Sequence, residues 1–198
     1  DGQRSTINVF GNARFTAVNN DVITIGDRGD IFENGVDTGA DFDARFNAGS
    51  LTVNSGADVS VEEDSAILLT GNSRANNLTL DAGLGAFNVL DSQNARTTVG
   101  GTLNVTGNLI NLGTGVETGT TIETDRLVMA GLTFNSRANT NISADSSFEL
   151  VDDSCADGLL ILDSDGQITA GLDATFAALD GSILSDADDN FDFVIANK

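Results

Sequence analysis

The chain lacks several residue types on which most catalytic sites depend. It contains no histidine, tryptophan, tyrosine or proline, and 11 phenylalanines make up its whole aromatic content. Without an imidazole, the usual serine and cysteine triads and the commonest general base are excluded. Paired carboxylates could still hydrolyse glycosides, but the tryptophan and tyrosine rings that usually stack on sugars are missing. We therefore expect that the protein is not an enzyme.

Positive charge is also scarce. Nine basic residues stand against 30 acidic ones, the formal net charge is −21, and the sole lysine is Lys198. Nucleic acids and anionic membranes bind cationic surfaces, so we expect neither as a partner, and no direct membrane insertion. Cations are the natural partners, calcium or a basic protein among them. The alternative is that the acidic surface only keeps an extracellular protein soluble.

Cysteine is reduced to Cys155, which excludes a disulfide within the chain. We expect it to be a small, buried or half-buried structural residue, because its acidic surroundings disfavour a reactive thiolate. The sequence shows no secretory leader and no apolar run long enough to span a bilayer. It begins at Asp1 without a methionine, so we expect a processed or excised piece.

Short alternating apolar and polar segments fill the sequence, among them "TINVF", "LTV", "LTL", "TLNV" and "FDFVI". Clusters of Gly, Asn and Asp separate them, and the chain has 22 glycines. Period-two alternation bounded by such clusters predicts many short β-strands. The best helical candidate is "GLDATFAALDGS" at positions 171–182, and it is short.

Similar strands recur at nearly even intervals, at Leu51, Leu78, Leu103 and Leu127. This spacing predicts a right-handed parallel β-helix, or β-solenoid, with coils of about 24–27 residues. Equivalent inward side chains would stack in apolar columns: Leu51 and Val53, Leu78 and Leu80, Leu103 and Val105, Leu127 and Met129. The alternative is an antiparallel β-sandwich or jelly roll, which also has many short strands.

A longer echo joins "LTVNSGADVSVEEDSAILL" (51–69) to "LTFNSRANTNISADSSFEL" (132–150). Leu51 matches Leu132 and Asn54 matches Asn135. Extended outward, the echo relates positions 49–101 to 130–181. We therefore expect one elongated β-solenoid domain over positions 1–198 with partial internal repeats.

The segments "GSLTVNSGADVSVEEDSAILLTGNSRANNLTLDAG" and "GGTLNVTGNLINLGTG" resemble the repeats of filamentous-haemagglutinin-like proteins and other giant bacterial surface adhesins. The resemblance is clearest over positions 49–135. It implies a right-handed parallel β-helix displayed at the cell surface, with a role in adhesion or as a stalk. It carries over no catalytic residue, because the motifs specify a coil and not a site.

The acidic turns are the candidate calcium ligands. In "DADDNFD" the oxygen-bearing residues alternate as in the first half of a calcium loop, although Phe191 replaces the usual glycine and no distal glutamate follows. "LDSDGQI" offers a second acidic turn. The predicted metal ligands are Asp163, Asp165, Asp186, Asp188, Asn190 and Asp192. The alternative for each is a solvated turn.

Two further motifs and one further functional alternative carry weaker signals. "RGD" at 28–30 is best explained by chance in a chain rich in Gly and Asp. The sequons at Asn77, Asn104 and Asn141 fall in predicted strands and are interpreted as part of the repeat pattern. A carbohydrate-binding module would need a polar groove that includes Phe87 or Phe134.

Two functions follow from these observations. The first is an extracellular, non-enzymatic β-solenoid segment of a surface adhesin or stalk, with neighbouring repeats or cell-surface glycans as partners. The second is a self-assembling subunit of an extracellular fibre or surface layer, in which copies join end to end by strand addition with the help of calcium. Both place the protein outside the cell.

Overall fold

The computed structural model describes fifteen stretches of the chain. They are positions 6–19, 21–26, 30–33, 36–41, 45–63, 65–83, 87–113, 127–144, 146–151, 154–157, 160–164, 167–170, 176–178, 183–185 and 192–195. All regular structure in these stretches is β-strand. The predicted all-β class is confirmed.

Twenty-three strands follow one another along the described parts of the chain. In the first half they are β1 (Thr6–Thr16), β2 (Ile23–Ile25), β3 (Asp30–Glu33), β4 (Val36–Asp41), β5 (Arg45–Asn54), β6 (Val59–Glu62), β7 (Ile67–Leu69), β8 (Asn72–Ala75), β9 (Leu78–Asp81), β10 (Val89–Asp91) and β11 (Arg96–Val99). In the second half they are β12 (Thr102–Gly107), β13 (Ile110–Leu112), β14 (Leu127–Val128), β15 (Gly131–Ser136), β16 (Thr140–Ala144), β17 (Phe148–Leu150), β18 (Ser154–Ala156), β19 (Leu160–Ser164), β20 (Gln167–Ala170), β21 (Phe176–Ala178), β22 (Ile183–Ser185) and β23 (Asp192–Ile195).

Two large sheets contain nearly all of these strands. The first sheet runs β14-β11-β8-β5-β7-β10-β13-β16-β19-β22, with β1 paired to β5. The second runs β2-β6-β9-β12-β15-β17-β20-β23, with β18 joining β15 to β21. Every described pairing in both sheets is parallel, and the antiparallel pair is the separate hairpin β3–β4. The antiparallel sandwich is therefore wrong for these ladders.

Side-chain burial alternates along the strands, as the period-two pattern predicts. In β9 the side chains of Leu78 and Leu80 are buried and those of Thr79 and Asp81 are half-buried on the other side. The same alternation recurs in β6, β7, β12, β13 and β16. The inward Leu, Ile and Val side chains of both sheets form one apolar cluster, whose burial is the main favourable term for this fold.

One column of register partners runs through the second sheet from its first strand to its last. Its members pair in register: Ile23, Val59, Leu78, Leu103, Leu132, Leu150, Ala170 and Ile195. The predicted stacking of Leu78 on Leu103 is thus confirmed. The predicted place of Leu51 and Leu127 in this column is wrong, because both lie in the first sheet. Leu51, Leu78, Leu103 and Leu127 are all buried, so the apolar pattern around each of them looks the same in the sequence.

The spacing between register partners varies more than the even repeat in the sequence predicts. The partners Leu51 and Leu69, in β5 and β7, are separated by far fewer residues than the partners Ile110 and Thr140, in β13 and β16. Ile23 and its partner Val59 are farther apart still, because the β3–β4 hairpin is inserted between them. Insertions at strand connections leave the ladder intact, so they blur the period that the sequence displays.

The long echo corresponds to a shared local geometry. Strand β5 pairs with both β7 and β8, and strand β15 pairs with both β17 and β18. The corresponding register pairs have identical spacings in the two places: Leu51–Leu69 and Leu132–Leu150, then Asn54–Arg74 and Asn135–Cys155. The echo therefore encodes a long strand that passes from one short neighbour to the next.

Close approach between neighbouring strands requires glycine at Gly113. Its φ is +75°, and a Cβ atom there would collide with the backbone carbonyl oxygen of Ser143. Only glycine combines that backbone conformation with the absence of a side chain.

Two smaller expectations are also resolved. The helical candidate at 171–182 is wrong at Phe176–Ala178, which form β21 and pair with β18. Cys155 is half-buried in β18, as predicted. Among the described residues, no helix has the length and apolarity needed to cross a membrane.

Candidate functional site

Most of the predicted calcium ligands lie outside the described residues. This holds for Asp165, Asp186, Asp188 and Asn190. Asp163 pairs with Ser143 within β19, and Asp192 pairs with Gln167 at the start of β23, but their side chains are not described. Within the described residues, no three acidic or cysteine side chains converge on a point where a metal could bind. Calcium at these positions remains a prediction.

The weaker motifs divide in the same way. Arg28 and Gly29 of the RGD tripeptide lie outside the described residues, and Asp30 begins β3. The sequons lie on or beside strands, and Asn104 is exposed in the middle of β12. The amide side chain of Asn77 donates to Asp58 Oδ1 at 3.0 Å and accepts from the Thr102 backbone amide at 2.9 Å. That residue therefore joins neighbouring strands.

A carbohydrate groove that uses Phe134 is wrong, because Phe134 is 1% exposed and belongs to the core. Phe87 is 41% exposed. The outward face of the second sheet is polar instead, with Ser60, Thr79, Asn104 and Thr133 aligned in register. Neighbouring members of such a row lie about 4.8 Å apart, the usual separation of hydrogen-bonded strands.

Exposed Asp58, which precedes β6, forms hydrogen bonds with the connection between β8 and β9. Its Oδ1 accepts hydrogen bonds from the Asn76 side chain at 2.9 Å and from the Asn77 backbone amide at 3.1 Å. These bonds, led by the one from the Asn76 side chain, hold the pKa of Asp58 below its usual value. The acid thus acts as a structural acceptor within this turn.

Glu63 is the most unusual acidic residue among those described. It follows β6, is 1% exposed, and accepts a hydrogen bond from the Ser65 hydroxyl at 2.9 Å. Burial raises the pKa of Glu63 to about 7, while the bonds from Ser65 and from the backbone of Ala48 act in the opposite direction. A buried carboxyl with such a pKa changes its charge near neutral pH.

The N-terminal end of the two sheets exposes large apolar side chains. Phe10 is 102% exposed, Val18 89% and Val22 66%. Within the described pairings, β1 has one partner, β5, and β2 has one partner, β6. The described pairings therefore place β1 and β2 each at an edge of its sheet. This edge is the most distinctive surface that the described residues provide.

No protein-family model, curated protein or solved structure matches the chain.

Sequence reasoning missed the burial of Glu63. "VEEDS" predicts a solvated turn, yet its middle glutamate is buried. The available signal was the alternation of β6, which places Val59, Val61 and then Glu63 on the inward side. For the edge, "TINVF" predicts an apolar first strand, and Phe10 faces away from the core because its neighbour Val9 packs against it.

Proposed function

We propose that the chain is a coiled β-solenoid segment that serves as an extracellular, non-catalytic stalk or spacer of a surface adhesin. The observation that carries the proposal is the continuous parallel ladder from β2 to β23, in which each strand pairs with one from the next stretch of sequence. Such a ladder extends by adding further stretches, and each addition lengthens the molecule without changing its cross-section.

The order of strands along the chain supports a coil. After β5 in the first sheet, the chain enters β6 in the second, then returns to β7 and β8 in the first and to β9 in the second. The chain continues to alternate between the two sheets up to β23. A chain that alternates between two parallel ladders and advances by one strand each time winds around a shared core. Because parallel crossovers are right-handed in nearly all proteins, we infer a right-handed coil.

The surface chemistry suits a spacer more than a binding pocket. The outward row Ser60, Thr79, Asn104 and Thr133 is small and uncharged, and the chain carries a net charge of −21. Small polar side chains on a regular face maintain solubility without creating a cleft. The resemblance of positions 49–135 to adhesin repeats points in the same direction.

The coil can be tested by pulling single molecules from their two ends. A solenoid should unravel one coil at a time, in steps of about 18–30 residues, because each coil contacts only its neighbours. Each step would release about 60–110 Å of extended chain. A single event that releases the whole chain at once would contradict the coil.

The role can be tested on intact cells of the source organism. Antibodies raised against the chain should label intact cells as strongly as permeabilised ones, and external protease should remove the label. An in-frame deletion of positions 51–131, which joins the two copies of the echo in register, should reduce adherence while surface export continues. Label confined to permeabilised cells would contradict an extracellular stalk.

A further inference from the structure

Four of the nine basic residues lie on neighbouring strands of the first sheet. Arg14 lies in β1, Arg45 in β5, Arg74 in β8 and Arg96 in β11. These strands, and β14 that pairs with β11, contain no aspartate or glutamate, although the chain has 30 acidic residues. The first sheet therefore has a region of positive charge in a protein whose net charge is −21.

Three of these arginines lie on the outer face of the sheet. Arg14 and Arg74 are exposed and Arg96 is half-buried, and each directly follows a buried residue. Because successive side chains of a strand point to opposite faces, all three arginines lie on the side away from the core. The side chain of Arg45 is outside the described residues.

The register of the strands sets the spacing of the three arginines. Arg74 lies one strand and two residues from Arg96, which places their Cα atoms about 8 Å apart. Arg14 lies two strands and two residues from Arg74, or about 12 Å. Exposed Asn72 pairs with Arg96, and exposed Thr98 pairs with Arg74. The face is therefore polar, with guanidinium groups separated by amide and hydroxyl groups.

The strands that carry this face leave few ways to bind a peptide or a nucleic acid. Strand β8 lies between β5 and β11, and β11 lies between β8 and β14, so neither offers an edge for a peptide strand. Neither β8 nor β11 contains an aromatic residue on which a base could stack. A ligand must therefore be held by side chains alone, through anionic groups and hydroxyls.

We propose that this face of the first sheet binds an acidic polysaccharide whose sugar residues carry carboxylates. The planar guanidinium groups of Arg74 and Arg96 can each donate two parallel hydrogen bonds to a carboxylate. The side chains of Asn72 and Thr98 can bond to the sugar hydroxyls between the acidic groups. Because a polymer carries its acidic groups at regular intervals, binding at one arginine raises the effective concentration at the next.

The negative charge of the rest of the protein does not prevent this contact. The register partners Glu62 and Asp81 lie on the second sheet, on the other side of the shared apolar core. The Debye length is about 8 Å at physiological ionic strength, so distant acidic groups are largely screened at the arginine face. The proposal depends on the pairing of β5, β8 and β11 and is independent of the stalk role.

The test is the binding of polygalacturonate, which carries one carboxylate on each sugar, to the purified 198-residue chain. Isothermal titration calorimetry at about 0.15 M salt limits long-range attraction. Dextran serves as the uncharged polysaccharide, and single-stranded DNA as a polyanion of another class. We expect saturable binding of polygalacturonate alone. Binding of neither polysaccharide, equal binding of both, or binding of the DNA as tightly as polygalacturonate would overturn the proposal.

Two single substitutions with the same change in net charge locate the contact. Arg74→Gln removes a guanidinium from the proposed face, whereas Arg137→Gln removes an exposed one that directly follows β15 of the second sheet. We expect the dissociation constant for polygalacturonate to rise at least about fivefold in Arg74→Gln and to change by less than about twofold in Arg137→Gln. Equal losses would mean that binding follows net charge only, and would overturn the assignment of the contact.

The double variant Arg74→Gln with Arg96→Gln should bind more weakly than Arg74→Gln alone. Folding of each variant is verified from its β-type circular dichroism and cooperative unfolding. If the double variant does not fold, Arg14→Gln with Arg74→Gln tests the same face, because both of its substituted side chains are exposed. Undiminished binding in either folded double variant would contradict the proposal.

Discussion

The segments 51–74 and 132–155 perform the same structural task in two parts of the chain. In the first, the amide of Thr70 donates to the carbonyl of Leu51; in the second, the amide of Val151 donates to that of Leu132. The buried hydroxyl of Ser73 accepts from the Val53 amide at 3.3 Å, and that of Ser154 accepts from the Phe134 amide at 3.2 Å. The two similar sequences therefore form the same individual hydrogen bonds at corresponding positions.

The two segments differ at the position of Glu63, which Ala144 occupies in the second. In the first segment Glu63 accepts from the backbone of Ala48. In the second, the equivalent backbone amide, that of Met129, donates to the hydroxyl of Ser146 at 3.2 Å. The serine at the equivalent place in the first segment, Ser65, donates to Glu63 instead. One backbone amide can therefore be satisfied in two ways, of which only one introduces a titrating group.

The largest loss of stability is expected from substitutions at positions where the two segments agree most closely. Leu51→Ala and Leu132→Ala each remove a fully buried side chain from the same place in the echo. Each should lower the free energy of unfolding by about 3 kcal/mol, since lost burial and the remaining cavity both contribute. Urea unfolding of both variants measures the two losses.

The matched control is Leu68→Ala. Leu68 is half-buried and faces outward between two buried neighbours, so its truncation should cost well under half as much. Unequal losses at Leu51 and Leu132, differing by more than about 1 kcal/mol, would show that the two segments are not equivalent in packing.

A smaller effect, which depends on pH, is expected from the difference between the segments. The pKa of Glu63 is about 7 in the folded protein and its ordinary value is 4.5. The folded state therefore binds more protons than the unfolded state between these values. Stability that is present below pH 4.5 is lost as pH rises through 7, by about 2 kcal/mol once screening by nearby solvent is allowed for.

The measurement compares urea unfolding of the parent chain with that of Glu63→Gln between pH 5 and pH 8.5. Subtracting the two curves removes the contributions of the other acidic residues, and the difference should decrease from pH 5 to about pH 7 and level off above it. Glu63→Ala, which places alanine where the second segment has Ala144, should lose the same pH dependence because it also removes the carboxyl. Ser65 would then be able to accept from the Ala48 amide, as Ser146 does from the Met129 amide. Parallel curves for the parent and both variants would contradict a buried titrating carboxyl.

Much of the ladder could be predicted from the sequence, because inward Leu and Val residues alternate with polar ones wherever a strand forms. This pattern placed Leu78 on Leu103. The pattern could not assign Leu51 and Leu127 to the right sheet, since inward residues of the first sheet and of the second sheet are equally buried. Variable connections, such as the hairpin β3–β4, also hid the true spacing.

The candidate sites were predicted less well, for a physical reason. An acidic residue in a turn is usually solvated, so composition alone points away from a buried Glu63. The exposure of Phe10 follows from the packing of its neighbour Val9 against the core and from the place of β1 at the edge of its sheet. Both depend on where in the ladder a residue lies, and a short sequence window does not contain that information.

The smallest effect is expected from the shared serine hydroxyls. Ser73→Ala and Ser154→Ala each remove the acceptor of a buried backbone amide, that of Val53 or Phe134. Each should lower the free energy of unfolding by about 1 kcal/mol, since a buried donor loses its partner while only one oxygen is deleted. The two losses should agree and should add in the double variant, which urea unfolding can resolve. A loss of stability at one serine alone would mean that the two segments share this hydrogen bond but that it stabilises only one of them.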